Sequence, residues 1–478
     1  MNNIIINKSH SLKNALILIN KNKLGVCIVV NDEEKLFGIL TDGDIRRALI
    51  KKNINLNTKI EKICNKKVKF LFIQSSNNEI QNILSDKIKI IPLINKQKKV
   101  IDFATNQKFR NIPISEPYLS SQEFINVKKC LETNWISSKG MFVSKFEQDF
   151  SKFLGRPSIT VSNGTTGLEL ALKTLNLKKD SEVILPVLTF AATCNAIINS
   201  NLKPVFVDIY RESLTIDISQ IEKKISRKTK AIIAVHLYGF PCNMKELRRI
   251  CKKYKLFLIE DCAEAIGSEL NGKKIGTFSD ISVFSFFGNK TITTGEGGMV
   301  CFSNKKHLGR AKILRDHGMS LEKKYWHDLV GNNYRLTNLQ AALGCAQLKK
   351  LQKIVKKKIS IALKYELNFK KIKSIKYIKI QKKIKNSFWL YPIYIKNLGS
   401  YKKRDQFLEA MLQHGVEGRC LFYPLSEMKI YKKFTNKEKF PVASEVAKNS
   451  IVLPTSYQLT KGDIKWIILV VSNLLNEI

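Results

Sequence analysis

Two short apolar runs, each followed by polar side chains, constrain the fold of this chain more than any other feature. The run Leu256–Asp261 ends in two acids, and the run Ile281–Phe287 leads directly to Lys290. Strand-like and helix-like segments alternate from about residue 157 to 302, which predicts a mostly parallel sheet covered by helices. Open sheets of this kind bind ligands at the carboxyl ends of their strands. We therefore expect Asp261 and Lys290 to share one ligand site.

A lysine and an aspartate at such a place favour a pyridoxal phosphate site. The cofactor needs a lysine amine to bind its aldehyde, and a carboxylate to keep its ring nitrogen protonated. Lys290 and Asp261 can supply these two groups. Neither residue is diagnostic alone, because a lysine is usually solvated and an aspartate after a strand is often a cap.

A small-residue turn before a helix-like pattern predicts a phosphate cradle. Gly164, Thr165 and Thr166 would offer backbone N–H groups and hydroxyls at a helix N-terminus, and Ser285 would add another hydroxyl. An ordinary capped helix is the alternative interpretation. Phe190 follows another apolar run and offers a flat face for a ring cofactor, with a core phenylalanine as the alternative.

From about residue 112 onwards, the chain resembles the DegT/DnrJ/EryC1/StrS nucleotide-sugar aminotransferases, which are pyridoxal 5'-phosphate enzymes of fold type I. The resemblance implies an α/β protein with a mostly parallel large domain and a small α+β C-terminal domain. The matching segments, in chain order, are Pro113–Leu119, Asn134–Gly140, Ser162–Gly167, Thr189–Thr193, His236–Gly239, Glu260–Ala265, Ser285–Gly298, Arg315–Gly318 and Gly331–Ala342.

The resemblance assigns roles to the residues already singled out. It implies a covalent bond between Lys290 and the cofactor, a ring-nitrogen contact from Asp261, and phosphate contacts from Gly164–Thr166 and Ser285. It also implies ring stacking by Phe190.

Further contacts implied by the resemblance involve residues later in the chain. Glu264 is expected beside the cofactor ring or the sugar, with a solvated or capping glutamate as the alternative. Asn333 or Arg335 is expected to reach into the active site of a neighbouring subunit, which implies a homodimer. The candidate substrate contacts are His317, Arg335, Arg419 and Tyr423, where a surface arginine and a packed tyrosine are the alternatives for the last two.

Within this family, the chain resembles the GDP-perosamine synthases most, through Ser285–Gly298 and Phe422–Met428. This implies transfer of the amino group of L-glutamate to the C4 keto group of a nucleotide-linked 4-keto-6-deoxysugar, for surface polysaccharide or glycan biosynthesis. Asn332 and Asn243 depart from the usual family residues. Lys290 argues against a dehydratase branch of the family that has histidine there. A UDP-linked substrate, or a nucleotide-sensing protein with a vestigial enzyme domain, is the alternative.

The first hundred residues form a weak repeat that resembles a tandem CBS-domain pair. Each half contains a helix-like segment and a strand, polar turn and strand, at 25–40 and at 89–101. Gly38–Asp44 carries the match, and in such pairs Thr41 and Asp44 are candidates for binding an adenine nucleotide. Helix capping by the same two residues is the alternative. The second half lacks the Thr-x-x-Asp signal, so at most one nucleotide site is expected, and a dimerisation or docking module is the alternative for the pair. We expect domains at 1–106, 110–355 and 356–478, with a polar linker at 106–111.

Composition narrows the function classes further. The 82 basic and 40 acidic residues give a net charge of +42, but the lysines are spread through every segment, which argues against a nucleic-acid partner. Ten scattered cysteines have no metal-ligand spacing, so no metal site is expected. No apolar stretch reaches membrane-spanning length and no secretory signal is recognisable, which predicts a cytoplasmic protein without a membrane partner.

Overall fold

The computed structural model describes residues 4–22, 24–51, 54–75, 77–85, 88–105, 111–377, 383–435 and 437–476. The chain divides into two compact units, one of residues 1–112 and 412–416 and one of residues 113–411 and 417–478. The predicted linker at 106–111 lies, except for Asn111, outside the described residues. The predicted boundary near residue 355 falls inside a continuous helix, so the division into large and small domains stays a prediction.

The N-terminal unit contains the same topology twice. In each copy the first strand pairs parallel with the second, and the second pairs antiparallel with the third, with a register shift at the same place in the hairpin. A helix links the first two strands. The elements are β1 (Ile5–Asn7), α1 (Leu12–Asn22), β2 (Val26–Val30), β3 (Leu36–Thr41), α2 (Asp42–Lys51), β4 (Leu71–Phe72), α3 (Asn77–Ile83), β5 (Ile90–Ile94) and β6 (Val100–Thr105).

A single hydrophobic cluster holds the two copies together. It packs Ile28 and Val30 of β2 with Ile90 and Ile94 of β5. These residues belong to strands that are buried on both faces, which accounts for their continuous apolar sequence. The repeat predicted from the two hairpin patterns is therefore present in the structure.

The second unit is built around a seven-stranded sheet with the order β7-β15-β14-β11-β10-β8-β9. All of its pairings are parallel except those of β15, which runs antiparallel to both neighbours. This confirms the mostly parallel sheet. Its strands are β7 (Ser158–Val161), β8 (Glu182–Pro186), β9 (Lys203–Val207), β10 (Thr229–Val235), β11 (Phe257–Asp261), β14 (Ile281–Ser285) and β15 (Gly298–Phe302), and the short β12 (Glu269–Leu270) and β13 (Lys273–Lys274) precede β14.

Helices alternate with these strands as the sequence pattern predicts. Several begin with a side chain that accepts a backbone N–H of the first turn, as Asn163, Asp217, Asn243 and Asn304 do. The helices are α4 (Ser121–Glu132), α5 (Met141–Leu154), α6 (Gly164–Thr174), α7 (Ala191–Asn199), α8 (Ile218–Lys224), α9 (Met244–Tyr254), α10 (Lys305–Arg315) and α11 (Asn338–Phe369).

The C-terminal part of this unit is α+β, as predicted. Its four-stranded antiparallel sheet has the order β16-β18-β20-β19. The elements are β16 (Ile375–Tyr377), β17 (Ile384–Lys385), β18 (Tyr391–Ile395), α12 (Tyr401–Gln413), β19 (Arg419–Cys420), α13 (Pro441–Asn449), β20 (Ser450–Leu453) and α14 (Lys461–Leu475). No described helix combines the length and the apolar character needed to cross a membrane.

Candidate active site

A cavity of about 430 Å³ lies where the strands β10, β11 and β14 of the second unit end. Its volume is in the range of small-molecule sites. Of the residues singled out from the sequence, eight line this cavity: Gly164, Thr165, Phe190, Asp261, Glu264, Ser285, Lys290 and Arg419. The structure thus brings together residues from five separate segments of the chain.

Lys290 lies in the turn after β14, with its amine directed at two groups. Its Nζ is 3.2 Å from Oε1 of Glu264 and 3.8 Å from the centre of the Trp389 ring. The other carboxylate oxygen of Glu264 accepts the backbone N–H of Tyr238 at 2.9 Å. Burial raises the pKa of Glu264, and the nearby Lys290 charge opposes that rise. Lys290 is the only lysine among the described residues that line the cavity, and its amine is therefore held by a carboxylate and an aromatic face.

Asp261 ends β11 and is buried without an ion pair among the described residues. Its Oδ2 accepts the hydroxyl of Thr193 at 2.8 Å, and its Oδ1 accepts the backbone N–H of Ala263 at 3.1 Å. Burial raises the pKa of this carboxyl, and the two hydrogen bonds oppose the rise. A carboxylate in this state has the capacity to bind a cationic ligand group.

The N-terminus of α6 forms an anion cradle at another part of the cavity. Asn163 caps the helix by accepting the N–H of Thr166, and the carbonyl of Asn163 accepts the N–H of Gly167. The N–H groups of Gly164 and Thr165 come before these and have no partner within the helix. A Cβ added to Gly164 would lie 2.9 Å from the Cβ of Ser285, so the glycine allows the turn to approach Ser285.

Aromatic rings form one wall of the cavity. Phe190 is 56% exposed although it lines a concave site, and its ring is 5.5 Å from that of Phe422. Tyr238 stacks on Phe422 at 5.7 Å and on Trp389 at 5.8 Å. A bound ring would cover apolar surface that is otherwise open to water.

Several lining residues were not identified from the sequence. They include Thr193, Tyr238, Trp389 and Phe422. Tyr238 and Phe422 belong to segments that match the family in sequence, but the match did not assign a role to either residue. Trp389 lies in the small α+β part, and its apolar surroundings in the sequence resemble those of a core residue.

Other predicted site residues lie outside this cavity of the chain. The hydroxyl of Thr166 bonds to the carbonyl of Asn163 within the helix cap. Arg335 donates to Asn333 at 2.9 Å, and its guanidinium is 3.3 Å from Nε2 of His317, which makes one polar cluster. Tyr423 accepts a hydrogen bond from the buried Arg404 at 2.7 Å.

In the N-terminal unit, Thr41 and Asp44 bond mainly to each other. Oδ2 of Asp44 accepts the N–H and the hydroxyl of Thr41 at 3.0 and 2.7 Å. Its Oδ1 accepts Arg47 at 2.6 Å. This is the geometry of a helix cap with an ion pair, the alternative interpretation of these residues.

One buried group of His236, Glu260 and Cys262 has ligand atoms close enough together for a metal ion. The oxygens of Glu260, however, accept the N–H groups of Gly276, Phe278 and Ser279 at 2.8 to 2.9 Å. The Nδ1 of His236 accepts another backbone N–H. The lone pairs that a metal would need are already used in hydrogen bonds.

Comparisons with known proteins identify the family of the chain. Residues 117–472 match the model of the DegT/DnrJ/EryC1/StrS aminotransferase family, and residues 1–51 match the CBS domain model. The GDP-perosamine synthase of Vibrio cholerae is 40% identical over 366 residues, which cover 76% of this chain and 99% of that enzyme.

Solved structures agree as well. Helicobacter pylori PseC, an aminotransferase involved in the biosynthesis of pseudoaminic acid, matches with a TM-score of 0.74 at 28% identity, over 77% of this chain and 100% of its own. Streptococcus pneumoniae Spr1654 in its PLP-form matches with a TM-score of 0.73 at 25% identity, over 77% and 99%. The fold type and the N-terminal CBS resemblance expected from the sequence are confirmed.

Proposed function

This chain belongs to the DegT/DnrJ/EryC1/StrS aminotransferase family, and from that premise we propose that it transfers the amino group of L-glutamate to the C4 keto group of a GDP-linked 4-keto-6-deoxyhexose. The observation that carries the proposal is that Lys290, Asp261 and the α6 N-terminus line one cavity. The GDP-linked substrate is supported by the name of the relative from Vibrio cholerae and by its coverage.

The residues present fit pyridoxal 5'-phosphate as the cofactor. No described residue forms an ion pair with the buried Asp261, so a protonated ring nitrogen would supply a direct cationic partner. Gly164, Thr165 and Ser285 form a cradle for a phosphate, and the exposed face of Phe190 suits a ring. Lys290 Nζ is the amine for the aldehyde. Each part of the cofactor has a matching group.

The chemistry divides between the cofactor and the chain. When bound, pyridoxal phosphate supplies an electron sink for the carbanion that forms when a proton leaves the α-carbon. Lys290 would anchor the cofactor between turnovers. When its Nζ is not bound to the cofactor, this amine would remove the α-proton of the bound amino donor. Glu264 keeps Nζ inside the cavity through its 3.2 Å contact. The low exposure of these groups limits competing water.

Arg419 is the proposed contact to the nucleotide part of the substrate. It lines the cavity, and it is oriented by Glu417, which accepts its Nε at 3.1 Å. A guanidinium suits a diphosphate because it offers several donors and keeps its charge. His317 and Tyr423 do not line this cavity. We propose that they contact those parts of the substrates that extend beyond it.

A homodimer with shared sites is proposed for the second unit. Arg335, Asn333 and His317 form a polar cluster outside the cavity of their own chain, which suits residues that complete the site of a partner. The second unit also exposes large apolar side chains, including Phe124, Trp135 and Val330, which a partner subunit could cover.

For the N-terminal unit we propose an adenine nucleotide as ligand, with Thr41 and Asp44 holding its ribose. The CBS match over residues 1–51 supports this proposal. The existing bonds from Thr41 and Arg47 to Asp44 compete with it. Unchanged thermal stability and activity across millimolar AMP and ATP would remove the nucleotide from the account.

The purified full chain with added pyridoxal phosphate is expected to be yellow and to lose that colour with L-glutamate. Adding GDP- or UDP-linked 4-keto-6-deoxysugar to the colourless form then tests the acceptor. Return of the colour with the GDP-linked sugar alone supports the proposal. Return with the UDP-linked sugar alone replaces the substrate, and a protein that never becomes yellow contradicts the enzyme function and favours a vestigial domain.

A further inference from the structure

Trp389 makes two separate contacts to the turn that carries Lys290. Its indole N–H donates to the carbonyl of Asn289, the residue directly before the lysine, at 2.7 Å. The face of its ring is 3.8 Å from Nζ of Lys290, well within the distance of a cation–π interaction. The same side chain therefore fixes both the main chain and the amine of the turn.

The carbonyl of Asn289 is the point at which the turn is fastened. It also accepts the hydroxyl of Ser115 at 2.9 Å, so donors from two distant parts of the sequence meet there. The side-chain oxygen of Asn289 is buried without a hydrogen-bond partner among the described residues. Both donors, Ser115 and Trp389, bond to the main-chain carbonyl instead.

Trp389 is itself held by a buried polar group behind the cavity. Its carbonyl accepts the hydroxyl of Thr455 at 2.8 Å and Nζ of Lys358 at 3.2 Å. Lys358 is 4% exposed and Thr455 is fully buried. Burying an amine costs free energy unless the amine is hydrogen-bonded. The two hydrogen bonds of Lys358, to Thr455 and Trp389, offset this cost and fix the position of the Trp389 carbonyl.

The ring of Trp389 is also fixed from the other side of the site. Tyr238 stacks on it with planes 9° apart, while the backbone N–H of Tyr238 holds Glu264. Tyr238 has a φ of 52°, which is unusual for a residue with a side chain. Both partners of the Lys290 amine, Glu264 and Trp389, are thus set by one residue.

We propose that Trp389 is a positioning residue for Lys290 in the transamination reaction. Its N–H sets the direction of the turn, and its ring retains the amine when the amine is not bound to the cofactor. This inference rests on the proposed function for its kinetic part. The ring contact to the free amine can be tested without the cofactor.

The kinetic test compares Trp389→Phe, which keeps a ring and loses the N–H, with Trp389→Leu, which loses both. Trp466→Phe, on α14, is the matched control. In single-turnover measurements with glutamate, we expect the saturating rate of colour loss to fall about tenfold for Phe and about a hundredfold for Leu. The glutamate concentration for half-maximal rate should change less than about twofold. A merely structural role would lower the amplitude and leave the rate unchanged.

The second test uses cofactor-free protein and an amine-acylating reagent, with the extent of modification at Lys290 read by peptide mass spectrometry. Because the Trp389 ring covers the Lys290 amine at 3.8 Å, Trp389→Leu should raise acylation of Lys290 by about threefold or more relative to the exposed Lys273. Trp389→Phe should raise it less. Should the Leu variant fail to fold, the Phe variant still carries the kinetic test of the N–H, and Trp389→Met, which also lacks a ring, carries the acylation test.

Wild-type rates and wild-type acylation in both variants would overturn the proposal. A wild-type protein that never becomes yellow would instead contradict the proposed function, and the acylation comparison would still decide whether Trp389 holds the amine. Slower turnover with unchanged acylation would overturn the role of the ring and support that of the N–H.

Discussion

The cavity around Lys290 and the turn around Asp44 differ in how completely their polar groups are paired within the chain. Asp44 accepts both donors of Thr41 and the charge of Arg47. Asp261 accepts two neutral donors, and no described residue forms an ion pair with it. Both regions had a family-like motif in the sequence. The comparison teaches that a motif predicts a ligand site best where its polar groups are left incompletely paired.

The pKa values of the buried Asp261 and the half-buried Asp44 are shifted in opposite directions, which follows from this difference. Burial raises the pKa of Asp261, and its two hydrogen bonds do not reverse the shift. For Asp44, partial burial also favours a higher pKa, but the bonds from Thr41 and Arg47 prevail and lower it. The first carboxyl would gain from a cationic ligand, and the second already has its partners.

The largest effect is expected from Lys290→Ala, which removes the amine that defines the cavity. We expect loss of the yellow colour and a fall in turnover of at least about 10⁴-fold. Absorbance and a steady-state assay check this, with Lys273→Ala on the surface as control. Turnover within tenfold of wild type would contradict the assignment of the site.

Asp261→Asn should separate function from stability. The change keeps the shape but cannot hold a ring nitrogen in its protonated form, so the glutamate half-reaction should slow by about a thousandfold. Because burial raises the pKa of Asp261 above its unfolded value, the protein loses stability as the pH rises from the unfolded pKa through the folded pKa, and the full cost of the ionised form is present above both.

The cofactor-free Asp261→Asn protein should therefore melt at a higher temperature than wild type at neutral pH, by about 2 °C or more. Thermal melting at pH 7 checks this, with Asp44→Asn as the comparison that should melt lower or unchanged. A lower melting point for Asp261→Asn would mean that the carboxylate is already satisfied without a ligand.

Lys358→Met tests the buried amine behind Trp389. Burial lowers the pKa of Lys358 from 10.5 to about 7, so between these values the unfolded chain binds more protons than the folded chain. The free energy of unfolding should then rise with pH through this window, by on the order of 3 kcal/mol between pH 7 and 9.5, relative to Lys358→Met.

Urea unfolding followed by tryptophan fluorescence measures this difference. All four tryptophans, Trp135, Trp326, Trp389 and Trp466, lie in the second unit, so the signal reports on the unit that contains Lys358. Parallel pH profiles for wild type and variant would show that the amine stays charged in the folded protein.

The smallest effect is expected from Thr41→Ala in the N-terminal unit. Loss of the cap should destabilise α2 by about 1 kcal/mol, with no change in the glutamate half-reaction. Hydrogen exchange of the α2 amides measures the first, and absorbance measures the second. If the substitution also abolishes a stabilisation by AMP, the turn binds a nucleotide. Pairing of Asp44 within the chain would then not distinguish this turn from the ligand cavity around Lys290.

Elements near the sheet were predictable because local patterns decide them. Asp261 ends one strand and Lys290 follows another, and the apolar runs of both strands are visible in the sequence. Parallel strands bring their carboxyl ends to one edge. The repeat of the N-terminal unit followed from two similar hairpin patterns. The antiparallel direction of β15 was not predicted, since an apolar run does not encode strand direction.

The wall formed by Trp389 and Tyr238 was not predictable from local patterns. Trp389 is distant in sequence from Lys290, and only the tertiary fold brings its ring to the amine. Thr166 shows the converse, because its hydroxyl completes a helix cap while its neighbour Thr165 lines the cavity. Adjacent residues of one motif can therefore have different roles, one in capping the helix and one in lining the cavity.

The most direct test of the central claim is to reduce the pyridoxal-phosphate-loaded full chain with borohydride and to locate the cofactor by peptide mass spectrometry. We expect one modified site, at Lys290, and we expect its modification to be lost when glutamate is added before reduction. Modification of other lysines in this lysine-rich chain to the same extent, or protection of none by glutamate, would contradict it.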